Sequence, residues 1–359
     1  MKMFLSLFFI TIFFVGCSSN EPDEYIDAIM IQESTNQLEY INSYDDQEKE
    51  EYREEYKETG ILGRLTRISY GDNTAYIFGS MHVGMADWFP LHPAVYQAME
   101  NADLFLFEYD ITTDDFVIAS MTLSHLLESQ NQIGSLIENL TQEERATFEK
   151  TIEDWIVLAK NIPSDSIPVP QALINRYMLN GITPFALYTL GGLLAFETVG
   201  ANQQNSIDWY IWQYGLEHGI EIDGLIPIEQ EIELMMNVPV EAEMWLMANF
   251  PAPYDLAREA YETAKMYKNQ DIEQIAKLLY VEDSEYENPL YQWIHDVIMV
   301  ERSQYFASEI ARLLEQDTEK TFFVTVGIGH MIGDSNANVL QLLSEKGFEI
   351  STKNSQADH

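Results

Sequence analysis

Hydrophobic positions follow two rhythms along this chain: short apolar runs bounded by Gly, Asp or Asn near both ends of a central region, and apolar residues three and four apart between them. Leu62–Tyr70 (LGRLTRISY) and Thr74–Gly79 (TAYIFG) flank Gly71-Asp72-Asn73, residues that tolerate positive φ, which predicts a hairpin. Pro93–Ala102 opens on a proline at a favoured first helical position and spaces Val95, Ala98, Met99 and Ala102 along one face, so a helix follows. Asp103–Asp110 (DLFLFEYD) is then a third strand, and alternation places Glu108 and Asp110 on the same side of it.

From Thr113 to Lys320 the rhythm is helical and punctuated. Thr141 and Glu144 have capping-box spacing, Ile162–Pro170 (IPSDSIPVP) breaks the pattern, and helices are expected over 171–180, 184–198, 208–219, 251–268, 271–279 and 292–316. Residues 219–230 read as a short strand, a turn and the start of another helix. Phe322–Gly327 is a buried-type strand, 336–346 a helix closed by Gly347, and Phe348–Ser351 a last strand. The fold class expected is α/β, of α+β-like character. A mixed sheet is built from residues 61–112 and 321–351 around a long helical insert, 113–320, with a polar tail over 353–359.

Chemistry concentrates at the strand ends. Gly79-Ser80-Met81-His82 and Gly327-Ile328-Gly329-His330 each follow an apolar strand, and each histidine is trailed by a glycine, Gly84 or Gly333. Strands in α/β proteins deliver side chains to a site at their carboxyl ends. His82, His330 and Glu108 therefore offer two imidazoles and one carboxylate, a donor set suited to a divalent first-row metal (Mn, Co or Zn) with positions left for water or substrate. Asp110 and Glu229 are the candidate proton acceptors. Arg302, on the helix before the second GxxH strand, is the natural partner for a buried Glu108. His92, His125, His218, His295 and His359 lack partner spacing and read as surface or packing residues. The six tryptophans and the Met-rich stretch 234–247 read as core.

Charge and the N-terminus add a setting. Against 59 acidic residues stand only 19 Lys and Arg, a net charge of −40, which speaks against nucleic acid as a partner and against electrostatic docking on anionic lipid. MKMFLSLFFITIFFVGCSSN has one Lys and then about a dozen apolar residues, the size of a secretory h-region and too short to span a bilayer. Cys17, the single cysteine, follows Val15-Gly16 and precedes Ser18-Ser19, which resembles a lipobox: residues 1–16 become a lipoprotein-type signal peptide, Cys17 the lipidated mature N-terminus, and 17–60 an acidic tether. The expected location is the bacterial cell envelope, anchored to the membrane by lipid and facing outside the cytoplasm. Neither disulfides nor thiol catalysis remains open to the mature domain.

GSMHVG, WFPLHPAVYQAMENADLFLFEYD, ERSQYFASEIARLL and FFVTVGIGHMIGDSNANVLQLLSEKGFEI, in that order and spacing, resemble the TraB/GumN (PrgY) family, which includes the Tiki proteins, over residues 61–352. Tiki members are metal-dependent proteases, and the wider superfamily includes erythromycin-esterase-like enzymes and a haem-binding lipoprotein type. The resemblance implies His82, Glu108 and His330 as the site, supported by Arg302. Two positions depart from the pattern. Arg302-Ser303 stands where the family often has Arg-Asn, and Gly224-Leu225-Ile226 where an acid often follows Gly-Leu, with Gln230 fitting the later glutamine and Glu229 the acid offered in its place. The expected function is a metal-dependent hydrolase of peptidase type acting on a peptide or small molecule. The alternatives are a non-catalytic lipoprotein that binds haem, metal or peptide, and a structural lipoprotein whose histidines only cap strands.

Overall fold

The computed structural model describes residues 60–109, 131–160, 180–280, 288–316, 319–333 and 335–352. Cys17, the signal segment, the tether up to residue 59, Asp110, His125, the Pro-rich piece 162–170, all but the last residue of the helix expected over 171–180 and the polar tail 353–359 with His359 lie outside them.

Six strands form one mixed sheet: β1 (Thr66–Tyr70), β2 (Asn73–Ser80), β3 (Leu104–Tyr109), β4 (Glu221–Ile226), β5 (Thr321–Gly327) and β6 (Glu349–Thr352), in the order β4-β3-β5-β2-β1-β6. β1 and β2 are the expected hairpin, with Gly71 at φ 57° in the turn. β5 lies parallel between β2 and β3, pairing Thr74 with Thr321 and Leu104 with Phe322, so segments far apart in sequence meet at the centre of the sheet. Asn73 ties this junction down: its side chain donates to Leu314 O at 3.0 Å and accepts from Lys320 N–H at 2.7 Å. The insert is not purely helical, because β4 joins the sheet as an edge strand parallel to β3. Its outward half alternates exposed and half-buried residues, as an edge strand should.

The helices used below are α1 (Pro93–Glu100), α2 (Gln142–Ala159), α3 (Pro184–Thr198), α4 (Ile207–His218), α5 (Ile228–Met236), α6 (Val240–Ala248), α7 (Pro253–Lys268), α8 (Ile272–Leu279), α9 (Pro289–Trp293), α10 (Arg302–Leu314) and α11 (Val339–Glu345). α2 starts with the expected capping box, Thr141 accepting from Glu144 N–H while the Glu144 carboxylate accepts from Thr141 N–H. α11 begins three residues later than its apolar pattern suggests, because Asn338 caps it by accepting from Leu340 and Gln341 N–H. α9 runs into α10 through a π-helical segment, Ile294–Glu301. No helix among the described residues is long and apolar enough to cross a membrane.

Strand alternation sorts the sheet's side chains into two cores. Phe78, Phe105 and Phe323 pack with α1 and α4 through Val95, Met99, Ile207 and Ile211. Ile77, Leu104, Leu106, Phe322 and Val324 pack on the other face against Phe306, Ile310 and Leu314 of α10 and Leu340 and Leu343 of α11. With helices on both faces, the carboxyl ends of β2, β3 and β5 lie together at one end of a three-layer structure, and the side chains there are buried. Continuing the Leu104-Leu106 alternation by one step puts Glu108 on the α10 side.

Within the insert, Glu243 of α6 is buried at 1% exposure and accepts from Phe185 N–H, at 2.7 Å, in the first turn of α3. Burial outweighs this hydrogen bond and pushes its carboxyl up to about 8. The folded state thus binds the proton more tightly than the unfolded chain, so the contribution to stability is complete below the ordinary carboxylate value and is lost as pH rises through 8. Glu243→Gln is expected to melt at a higher temperature than the wild type at pH 8 and at a similar one at pH 5. Parallel Tm curves across that window would contradict the assignment.

Candidate functional site

The parallel register sets Ser80 of β2 opposite Gly327 of β5, so the two GxxH turns leave the sheet level with each other. His82 lies two residues beyond β2, and His330 sits in a 3₁₀ turn, Ile328–Met331, directly after β5. Glu108, the penultimate residue of β3, stands between them: its Oε2 is 3.6 Å from His82 Nε2 and its Oε1 3.9 Å from His330 Nε2.

Glu108 is held on both oxygens. Oε1 accepts from Gly327 N–H at 2.6 Å and Oε2 from Arg302 Nη2 at 2.6 Å. Burial opposes its charge, but Arg302 and the two imidazoles prevail and hold the carboxyl down at about 2. Arg302 is itself buried and clamped by Glu231 of α5, with Nη2 2.7 Å from Oε1 and Nε 3.1 Å from Oε2. The carboxylate that reaches the cluster from α5 is Glu231 and not Glu229, which is exposed. The helical period explains the exchange: Ile228, Glu231, Ile232 and Met235 form the buried face, and Glu229 points away from it.

Each imidazole has a side-chain oxygen facing its Nδ1. Ser303 Oγ donates its single proton to Ala337 O at 2.7 Å, so at 2.8 Å from His330 Nδ1 it can only accept from the ring. His330 therefore carries its proton on Nδ1, and its unprotonated Nε2 accepts from Arg302 Nη1 at 3.5 Å. Burial keeps this ring neutral, pushing it down to about 3 despite the Glu108 carboxylate. Ser303 thus orients the histidine. His82 Nδ1 faces Asp208 Oδ2 of α4 at 3.4 Å, and Asp208 Oδ1 accepts from Ser80 Oγ–H at 2.7 Å. Burial would lower the His82 ring, but the Asp208 and Glu108 carboxylates overcome it and raise the ring to about 9.

Ile226, at the place of the missing acid, is a register partner of Tyr109 and is buried in the apolar layer. Asp110 is outside the described residues. Asp208, Glu231 and Ser303 are the participants that sequence reasoning passed over. Glu231 and Ser303 had a visible signal, a polar residue on the apolar face of an amphipathic helix; Asp208, in the first turn of a helix, had none beyond ordinary dipole complementarity.

Among the described residues no three His, Cys, Asp or Glu groups are already gathered at ligating distance. His82, Glu108 and His330 are the residues there that could serve as ligands to a divalent cation. A Cβ built on Gly327 would stand 3.2 Å from Glu108 Oε1, 3.6 Å from His82 Nε2 and 3.8 Å from His330 Cδ2, so the missing side chain leaves room bordered by all three candidate ligands. Carboxylates also outnumber the one guanidinium: Glu108 and Glu231 pair with Arg302, and Asp208 faces His82 on the other side of Glu108.

Parallel strands delivering two histidines and a carboxylate to one sheet edge define an α/β protein with an ionisable strand-end site. The chain belongs to the TraB/PrgY/gumN family, whose model matches residues 64–352. No curated protein and no solved structure shows significant similarity to it.

Removing Arg302 would leave two buried carboxylates facing each other. Arg302→Met is expected to cost about 3–5 kcal/mol of unfolding free energy, the range for breaking a buried ion pair on one side. Urea denaturation measures it, and a loss below about 1 kcal/mol would show that the pairing is not what holds Glu108.

Proposed function

We propose that this protein is a lipid-anchored cell-envelope hydrolase of peptidase type that works with a divalent cation held by His82, Glu108 and His330. The observation that carries the reading is that the Nε2 atoms of both imidazoles stand 3.6 and 3.9 Å from one carboxylate, with Ser303 Oγ accepting from His330 Nδ1 and Asp208 Oδ2 facing His82 Nδ1. Metal-ligating histidines share that habit, donating the second ring nitrogen to an outer partner that sets tautomer and angle. Manganese, cobalt or zinc bound there would act as a Lewis acid on a carbonyl oxygen and on water. The chain's own contribution is positional. Gly327 N–H and Arg302 hold the Glu108 carboxylate ionised, Ser303 fixes the His330 ring, and Gly327 leaves the space that a side chain would fill. The membrane anchor at Cys17 rests on the N-terminal sequence pattern, and the peptide substrate on the family resemblance.

The test is metal content and peptide cleavage of the purified full chain. Roughly one equivalent of manganese, cobalt or zinc per chain is expected, lost in His82→Ala and in His330→Ala. Gly327 has φ −54°, which any residue adopts, but an added Cβ would press on Glu108 Oε1 at 3.2 Å, so Gly327→Ala should stay folded with a lowered melting temperature while losing metal affinity and cleavage together. Metal content unchanged in both histidine variants would sink the reading. A new Soret band on adding haem, with no metal-stimulated cleavage, would replace it with a binding protein.

A further inference from the structure

The metal reading does not by itself use Asp208. Its place in the first turn of α4 suggests a capping role, but Ser206 already caps that helix by accepting from Trp209 N–H. The Asp208 carboxylate points the other way. Oδ1 takes the Ser80 hydroxyl, on the last residue of β2, and Oδ2 is buried without a hydrogen-bond donor among the described residues, facing the Nδ1 of His82 at 3.4 Å. Ser80 and His82 are two residues apart, so one carboxylate grips the strand end and addresses the ring that leaves it. On the other side of that ring, Glu108 Oε2 already accepts from Arg302. Of the two carboxylate oxygens beside the ring, Asp208 Oδ2 is the one with no donor among the described residues.

We infer that Asp208 is a positioning residue: its carboxylate, latched to β2 through Ser80, holds the His82 proton on Nδ1 and so turns an unprotonated Nε2 toward Glu108. The inference deepens the proposed function and rests on it only for the consequence, tighter binding of a cation, since the ring's tautomer is a property of the chain alone. An amide at position 208 would reverse the polarity. With its oxygen kept by the Ser80 hydroxyl, its NH₂ would face His82 Nδ1 and donate to it, moving the ring proton to Nε2 and closing the lone pair that should face the site.

Two readouts on the full chain separate the possibilities. The first is ring-¹⁵N spectra of metal-free, ¹⁵N-histidine-labelled protein at pH 10, above the His82 titration at about 9, with the His82 signals assigned by His82→Gln. The wild type is expected to show His82 as the Nδ1–H tautomer and Asp208→Asn to show it as Nε2–H. The second is zinc affinity by calorimetry, expected to weaken about 10–100-fold in Asp208→Asn, the usual effect of losing an outer partner. A lowered melting temperature with tautomer and zinc affinity both unchanged would overturn the inference and leave Asp208 a structural residue. A wild type that binds no zinc would end the metal reading, and the tautomer would then decide on Asp208 alone. If Asp208→Asn fails to fold, Ser80→Ala, which releases only the Oδ1 latch, should mix the two tautomers and weaken zinc binding by a smaller factor. An unmixed Nδ1–H ring in that variant would count against the latch.

Discussion

The guanidinium of Arg302, buried between Glu108 and Glu231, is the interaction on which the rest of this sheet edge depends. A carboxylate near the end of a core strand faces a desolvation cost of several kcal/mol unless a cation and hydrogen bonds meet it. Here α10 brings the cation from one layer, the Gly327 N–H supplies a hydrogen bond from the neighbouring strand, and Glu231 of α5 balances the guanidinium in turn. Three separate segments must be in register for this to close. The site is therefore as rigid as the packing of the two layers around it, and Glu108 stays ionised at every pH at which the protein is expected to work.

That requirement explains a local irregularity. The π-helical segment Ile294–Glu301 ends directly before Arg302. A π turn carries more residues than an α turn and changes the face on which later residues fall. After it, Arg302 and Ser303 are both buried, sharing the inner surface with Phe306 and Ile310. One stretch of helix thereby supplies the partner of Glu108 and the orienting hydroxyl of His330, whose ring also meets Phe306 edge-on at 5.0 Å. Position and tautomer of the second histidine are set from the same two turns.

How far this could be read from the chain depends on where each residue's partner lies. His82, His330 and Glu108 were legible because each follows an apolar strand, and the parallel order β3-β5-β2 brings those strand ends together. Most strands were also legible to within a residue or two, since their alternation is a local property. What was not legible depended on contacts between layers. Glu231 rather than Glu229 follows from which face of α5 meets the sheet, and Asp208 matters only because α4 packs its N-terminus beside Ser80. The addition of β4 to the sheet and the late start of α11 likewise turn on a strand partner and a capping side chain, which the hydrophobic pattern does not record. Ile226 shows the reverse case: a position where an acid was looked for is filled by apolar packing, while Glu231, five residues on, reaches the cluster.

On the proposed function, His82, Glu108 and His330 would surround one cation-binding point beside Gly327. Anomalous diffraction from crystals of the protein grown with manganese or zinc tests it most directly. A single strong peak bordered by the two Nε2 atoms and the Glu108 carboxylate is expected. Ordered, fully occupied metal elsewhere on the acidic surface, with no peak at this point and both histidines unmoved, would contradict it.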